Sequence, residues 1–275
     1  MALSKVQVTK WSAMIEAMAQ EASIVAGLTN GMYQADSNGA KVINIQKISL
    51  GSIGNYVPGT PLTYADLTDS QIDVALDQRK VFTFKVEDVD AAQTNIDVKN
   101  IAIQQNGKLL ALEADKYVFG LYSKAGKQIN DGDNPAGALD LNSANVEDTI
   151  LEVKEWMDSK SVGSDRALVV EPWFLNKMIK AGLTRQTGIG DEAYVNGFVG
   201  KIFGFDVYVS NALTAGHQIA LTPRAIPFAT QMNKVETIQH PDFFGEAVRA
   251  LYVFGADVLF PDEFVDIWVA KAAEA

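Results

Sequence analysis

Cysteine is absent from the 275 residues, and histidine occurs only twice. The first absence excludes disulfides, thiolate catalysis and zinc–cysteine sites. It fits an intracellular product, or one whose stability comes from elsewhere. The second leaves His217 and His240 as the only imidazole bases. His217 lies in the turn-like TAGHQ and His240 precedes Pro241, so both read as solvated loop histidines rather than catalytic ones. Positive charge is in the minority, 23 Lys and Arg against 34 Asp and Glu, a formal net charge of −11. A protein that grips phosphates over much of its surface needs the opposite balance. No run approaches the roughly 18 to 20 apolar residues of a membrane helix. The N-terminus MALSKVQVTKWSAM has no apolar run between Lys5 and Lys10, so no secretory signal is expected. No phosphate loop, HExxH or GxSxG motif is present, and Gly188-Ile189-Gly190 lacks the third glycine of a dinucleotide fingerprint.

What is present is a globular composition, 48% hydrophobic and 21% charged, with no internal repeat. Trp11, Met14, Ile15, Met18, Ala22 and Val25 recur at steps of three and four. They predict an amphipathic helix from about Lys10 to Leu28, stopped by Asn30-Gly31, that packs on its own domain or a neighbour's. KVINIQKISL (41–50) alternates Val42, Asn44, Gln46 and Ile48 against Ile43, Ile45, Lys47 and Ser49. The Gly- and Pro-rich 51–63 bends the chain, and DSQIDVALDQRKVFTFKVED (69–88) returns as a second extended arm. Such a two-armed excursion has too few apolar residues for a core of its own. It either folds back on the body or lies on another subunit. Within the second arm, Val81, Thr83 and Lys85 face one way and Phe82, Phe84 and Val86 the other.

Glu87, Asp88 and Asp90 then arrive together. They could hold a hard cation through carboxylate oxygens. They could equally be the acidic start of a helix, Asp88 or Asp90 capping its free N–H groups. Val89, Ala92, Ile96, Lys99, Ile103, Leu110, Ala114 and Val118 keep helical spacing beyond it, across a weak point at Asn106-Gly107. A continuous helix to about Gly120 would be a strut roughly 45 Å long. Residues 126–144 read as turns, and Asn130–Asn134 fails as a calcium loop because Pro135-Ala136 break the pattern. A helix from Ser143 or Asn145 with Val146, Ile150, Val153 and Met157 on one face follows. Then come a buried strand RALVV (166–170) and a helix from Pro172 to a Gly182 C-cap. GFVGKIFGFDVYVSNAL (197–213) is a strand pair with Gly200 and Gly204 relieving its turn. Residues 226–239 and 243–261 are long strands broken near His240-Pro241, and FVDIWVA (264–270) ends the series.

This order resembles the major capsid protein of tailed bacteriophages, an α+β class with the HK97-like fold. The wording agrees in LDQRKVFTFKVEDVDAAQTN (76–95), in GKIFGFDVYVSNAL (200–213), and in IPFATQMNKVETI followed by FGEAVRALYVFGADVLFPDEFV. The resemblance implies an N-terminal arm at 1–37 and an extended β-hairpin loop at 38–87. It implies a peripheral domain with a long spine helix at 88–139 and 216–275, and an axial domain at 140–215. It further implies a non-enzymatic coat subunit that self-assembles through pentamers and hexamers into an icosahedral shell around double-stranded DNA, without binding that DNA tightly. In the family, the loop reaches over the adjacent subunit. Ile53, Tyr56, Val57, Arg79 and Lys80 are the expected intersubunit contacts, and no catalytic, cofactor or metal residue is expected. Some members crosslink a loop lysine to an asparagine; Lys41, Lys47 and Lys80 are available, but no partner motif accompanies them. Because the sequence begins almost directly with the arm, a separate scaffolding protein is expected, with portal and cement proteins as further partners. The expected location is the virion, with assembly in the host cytoplasm. An encapsulin-like bacterial shell is the alternative within the fold, and a carboxylate–metal enzyme at Glu87, Asp88 and Asp90 the alternative outside it.

Overall fold

A computed structural model describes residues 23–33, 41–48, 55, 69–87, 98–131, 137–183, 198–239 and 245–272. The described strands form three sheets. Strands β1 (Val42–Ile48) and β2 (Asp69–Ala75) make an antiparallel ribbon, in register from Val42–Ala75 to Ile48–Asp69. Strand β3 (Gln78–Glu87) does not continue that ribbon. The chain turns at Leu76-Asp77, and β3 pairs antiparallel with a strand far along the sequence, Gly245–Ala256. The expected single second arm is therefore two strands in two sheets. The alternation in 78–87 is real, but its hydrogen-bond partners are distant, and nothing local announces them.

Between β3 and the C-terminal strands lies the long helix. Four helices are described: α1 (Val25–Leu28), α2 (Val98–Phe119), α3 (Val146–Ser159) and α4 (Pro172–Lys180). Helix α2 passes Asn106-Gly107 without interruption and tightens into a 3-10 turn over Gly120–Lys124. Its 22 residues span about 33 Å at 1.5 Å each. No described helix is long and apolar enough to cross a membrane.

The largest sheet follows. It is built from β4 (Lys127–Ile129), β5 (Leu139–Leu141), β6 (Arg166–Val170), β7 (Phe198–Ile202), β8 (Phe205–Val209), β9 (His217–Leu221) and β12 (Phe264–Lys271). Their order is β4-β12-β9-β6-β8-β7, with β5 parallel to β12 beyond β4. Strands β4 and β5 lie in the stretch expected to be turns. With three residues each they are too short to show a period, and only the edge of β12 orders them. Helix α3 buries the expected face, Val146, Ile150, Val153 and Met157, together with Thr149. It ends in a left-handed Ser161 (φ 55°), with Val162 N–H bonding Met157 C=O and Ser161 N–H bonding Asp158 C=O. Arg166 locks that end, donating to the carbonyls of Val162 and Gly163 and pairing with Asp158 at 2.6 Å. Helix α4 starts at Pro172 and stops at Gly182 (φ 79°), as its sequence predicts. In the β7–β8 hairpin, Phe203 and Gly204 both have positive φ, the signature of a two-residue turn that matches strand twist. Gly200 sits instead at a bulge within β7, where the register shifts.

The third sheet is β10-β11-β3, with β10 (Phe228–Gln239) and β11 (Gly245–Ala256) antiparallel. Two large cores result. One fills the space between α2 and the three-stranded sheet, with Leu110, Ala114, Val118, Phe254 and Phe264 in it and Phe82 and Phe84 packed against it. The other lies under α3 and α4 on the seven-stranded sheet, around Ile150, Met157, Phe174 and Phe205. Residues 216–275 serve both sheets: β9 and β12 belong to the large one, β10 and β11 to the small one.

Candidate assembly surface

The β1–β2 ribbon leaves the body from a small core of its own. Ile43, Ile45, Val74 and Leu76, spaced for one face, are buried against Ala229, Val253 and Leu259. Burying each such side chain is worth about 1.5–3 kcal/mol relative to exposure. The root thus folds back on its own chain, the first of the two placements expected of an excursion with too few apolar residues for a core of its own. The reason is sheet geometry. Every second residue of a sparsely apolar strand suffices to cover one narrow contact. Leu76 N–H bonds Lys41 C=O at 2.9 Å, closing the ribbon where it meets β11. The Lys47 ammonium lies 5.0 Å over the Phe260 ring. Of the expected contact residues, Ile53, Tyr56 and Val57 lie outside the described residues. Arg79 is exposed on β3, and Lys80 is half-buried. Lys80 Nζ donates to Glu113 on α2 at 3.1 Å, and Lys116 Nζ donates to the same carboxylate at 3.0 Å. Those two ammonium groups hold the Glu113 carboxyl below its ordinary range. The strand that follows the ribbon is therefore tied to the long helix by charge, as well as by Phe82 and Phe84.

The acidic corner resolves in part. Glu87 is the last residue of β3, opposite Gly245, so it marks the end of a strand. Asp88 and Asp90, expected to cap the helix, lie outside the described residues, as does the calcium-like turn around Asp133. Among the described residues no group of three or more His, Asp or Glu could hold a metal.

Two buried polar groups went unrecognised in the sequence. His217 is not a solvated loop residue: it opens β9 and is buried. Its Nδ1 lies 3.0 Å from both carboxylate oxygens of Asp266 on β12, so it carries the proton and donates. Gln128 Nε2 donates to the same carboxylate at 2.7 Å. The imidazole is stacked between Tyr122 at 3.9 Å and Trp268 at 5.7 Å. Burial raises the Asp266 pKa, and the bonds from Gln128 and His217 pull it back. An imidazole covered on both faces is a fastener joining the 3-10 turn after α2 to the large sheet. The only available signal was the short apolar run Ile219-Ala220-Leu221, which Gly216 disguised as the end of a turn. The second group is Asp115, buried on α2. It accepts from Ser23 Oγ at 2.5 Å and from the N–H groups of Ile24 and Val25. Burial raises its pKa, and the three bonds oppose the rise. Residues 23 and 24 are not helical and α1 begins at Val25, while 10–22 of the expected helix lie outside the described residues. Ser23, just before the helix, accepts from Ala26 N–H at 3.2 Å. This corrects the expected single helix, though its end before Asn30 holds.

A sequence model of the family described as Phage capsid protein matches residues 69–267. The chain belongs to that family, and it is a structural, major capsid subunit with the HK97-like fold. It is similar to a structure of Mycobacterium phage Che8, with 22% identity over 89% of this chain and 90% of that one and a TM-score of 0.72. It is also similar to the capsid of cyanophage P-SCSP1u, with 19% identity, 85% and 84% coverage and a TM-score of 0.67. A virus-like particle from Pyrococcus furiosus shares the fold at 12% identity, 95% and 99% coverage and a TM-score of 0.61. No curated protein matches the chain. The family match favours the phage capsid over the two alternatives, the enclosed-cargo shell within the fold and the metal enzyme outside it.

Proposed function

We infer that copies of this chain close into an icosahedral shell of pentamers and hexamers around double-stranded DNA. In that shell, the extended loop at 38–87 reaches over the neighbouring subunit. Observation of the β1–β2 root carries the reading. Its apolar residues are spent on its own body by Ile45 and Val74, while the ladder runs on outward to Ile48 and Asp69. Ile53, Tyr56 and Val57, in the same loop, are its proposed contacts with the neighbour. Arg79, exposed beside the root, is the charged member of the same contact. Lys80 serves it indirectly, by fixing β3 to Glu113. The domain division follows the resemblance: arm 1–37, loop 38–87, peripheral domain 88–139 and 216–275, axial domain 140–215. The net charge of −11 suits a wall that encloses DNA pushed in by a motor without trapping it. A separate scaffolding protein and a portal are its further partners, with assembly in the host cytoplasm.

Deleting Ser52 to Pro61 tests the reading. Circular dichroism and thermal melting of the variant subunit should match the parent, while electron microscopy shows capsomers or debris in place of closed particles. Unfolding of the variant subunit would place the loop in the subunit's own core and overturn the reading.

A further inference from the structure

Among the described residues the dipeptide Asn-Gly stands in two opposite settings. Asn106-Gly107 lies inside α2, where the Gly107 N–H belongs to the helical ladder and Asn106 Nδ2 donates to the Ala102 carbonyl at 2.7 Å. Asn30-Gly31 lies just past the end of α1. There Asn30 Oδ1 accepts from Met32 N–H at 3.0 Å. Neither the Gly31 N–H nor the Asn30 side-chain NH2 makes a hydrogen bond among the described residues. Gly31 is exposed and Met32 is 83% exposed, so water reaches this turn. The main chain of Asn30 is fixed. Its N–H donates to Ile226 C=O at 2.9 Å and its C=O accepts from Phe228 N–H at 3.2 Å, an isolated parallel bridge around Pro227. The bridge follows directly on Val25 and Leu28, which are buried with Ile226 and Phe228 in the main core.

We propose that Asn30 is a self-modification site, which loses its side-chain amide through a succinimide and ages into aspartyl and isoaspartyl forms. Hydroxide takes the Gly31 amide proton, and that nitrogen bonds to Asn30 Cγ. Gly31 brings no Cβ to obstruct the approach. The Met32 N–H, already placed on Oδ1, stabilises the negative charge that develops there. The Cγ–Nδ2 bond then breaks, and the nitrogen takes a proton from water and leaves as ammonia. A second water opens the imide ring. Entry at Cγ leaves an ordinary aspartyl residue. Entry at the former main-chain carbonyl leaves an isoaspartyl link, with the backbone routed through the side chain. Gly107 can follow the same course only when α2 opens locally, and each ~1.4 kcal/mol of opening slows it about tenfold. The consequence at position 30 falls on the bridge. The isoaspartyl link adds a backbone carbon and turns the carbonyl that accepts from Phe228 into a free carboxylate. The N-terminal part of the chain then keeps its hold through Val25 and Leu28 but loses its fastening to the start of β10.

Peptide mapping of the full chain, incubated at mildly alkaline pH, tests the proposal. Amide-to-acid conversion is read at each site by mass, and the isoaspartyl share by enzymatic methylation of its carboxylate. Fragmentation spectra separate Asn30 from Asn38-Gly39 and Asn196-Gly197, which lie outside the described residues. In the folded chain Asn30 should convert about tenfold faster than Asn106, or more, and in guanidinium chloride the two rates should converge. Gly31→Ala leaves the fold intact, because a Cβ there meets nothing within 4 Å. It should slow conversion at Asn30 about tenfold while Asn106 keeps its rate. Equal rates at Asn30 and Asn106 in the folded chain overturn the proposal, as does a rate at Asn30 that Gly31→Ala leaves unchanged. In the isoaspartyl fraction the Phe228 amide should exchange with solvent about tenfold faster than in fresh protein. Unchanged exchange overturns the consequence assigned to the bridge.

Discussion

A Cβ placed on Gly255 would lie 2.1 Å from the carbonyl oxygen of Ala75 and 2.9 Å from its carbonyl carbon. The backbone of the ribbon root crosses β11 at this residue, and only a glycine lets the two chains come so close. The obstacle is main chain on both sides, so no side-chain rotation relieves it. Gly255→Ala should cost about 1–3 kcal/mol, the range of overpacking a filled site. The displacement falls on the ribbon, so closed particles should be lost at temperatures where the subunit still melts cooperatively. Particle counts in micrographs alongside calorimetry check this.

Removing His217 leaves the buried Asp266 carboxylate with Gln128 as its remaining side-chain donor. His217→Ala should therefore cost about 3 kcal/mol, because the carboxylate loses one donor and a cavity between Tyr122 and Trp268 remains. Asp266→Asn keeps an acceptor for His217 Nδ1 and should cost less, about 1–2 kcal/mol. Urea denaturation of the two variants measures the order, and the reverse order would show that the imidazole is not what fastens the 3-10 turn to the large sheet.

Asp115 has a pKa raised by burial above its ordinary value of 3.8. The folded state therefore binds its proton more tightly than the unfolded state does. The stability tied to that proton is fully present below the ordinary value and is lost as pH rises through the raised one. Asp115→Asn lacks this titration. The parent's stability advantage over the variant should thus shrink as pH climbs from about 3 through the raised value, then stay level. Denaturation midpoints for both proteins at a series of pH values give the difference curve. A difference that grows with pH would mean that the three bonds to Ser23, Ile24 and Val25 dominate over burial.

The Lys80–Glu113 pair is about two-fifths exposed at both ends. Lys80→Ala should cost well under 1 kcal/mol, and less still in high salt. Arg79→Ala should leave the melting temperature unchanged while slowing or preventing particle formation. Light scattering during assembly, with calorimetry of the unassembled subunit, separates the two effects. A lowered melting temperature in Arg79→Ala would return the guanidinium to its own subunit.

Much of this architecture could be read before any coordinates. The face of α3 was spelled out by Val146, Ile150, Val153 and Met157 at helical steps. Pro172 and Gly182 bracketed α4. The order of elements pointed to the capsid fold. Other features could not be read. Strands β4 and β5 are too short to have a period, and His217 stood beside a glycine that imitates a turn. Ser23 looks like any other polar residue in an amphipathic repeat until Asp115, far along the chain, supplies the carboxylate that meets the start of α1.

Periodicity is a local quantity, written in residues two to four apart, and so helix faces and strand alternation follow from the chain alone. Partnership is not local. A strand's N–H and C=O groups accept whichever edge the folded body brings beside them, and so 69–87 divides at Leu76 between a reaching ribbon and the β11 sheet. A carboxylate such as Asp266 or Asp115 acquires its meaning only when burial strips away water and leaves one imidazole or one helix end to answer it.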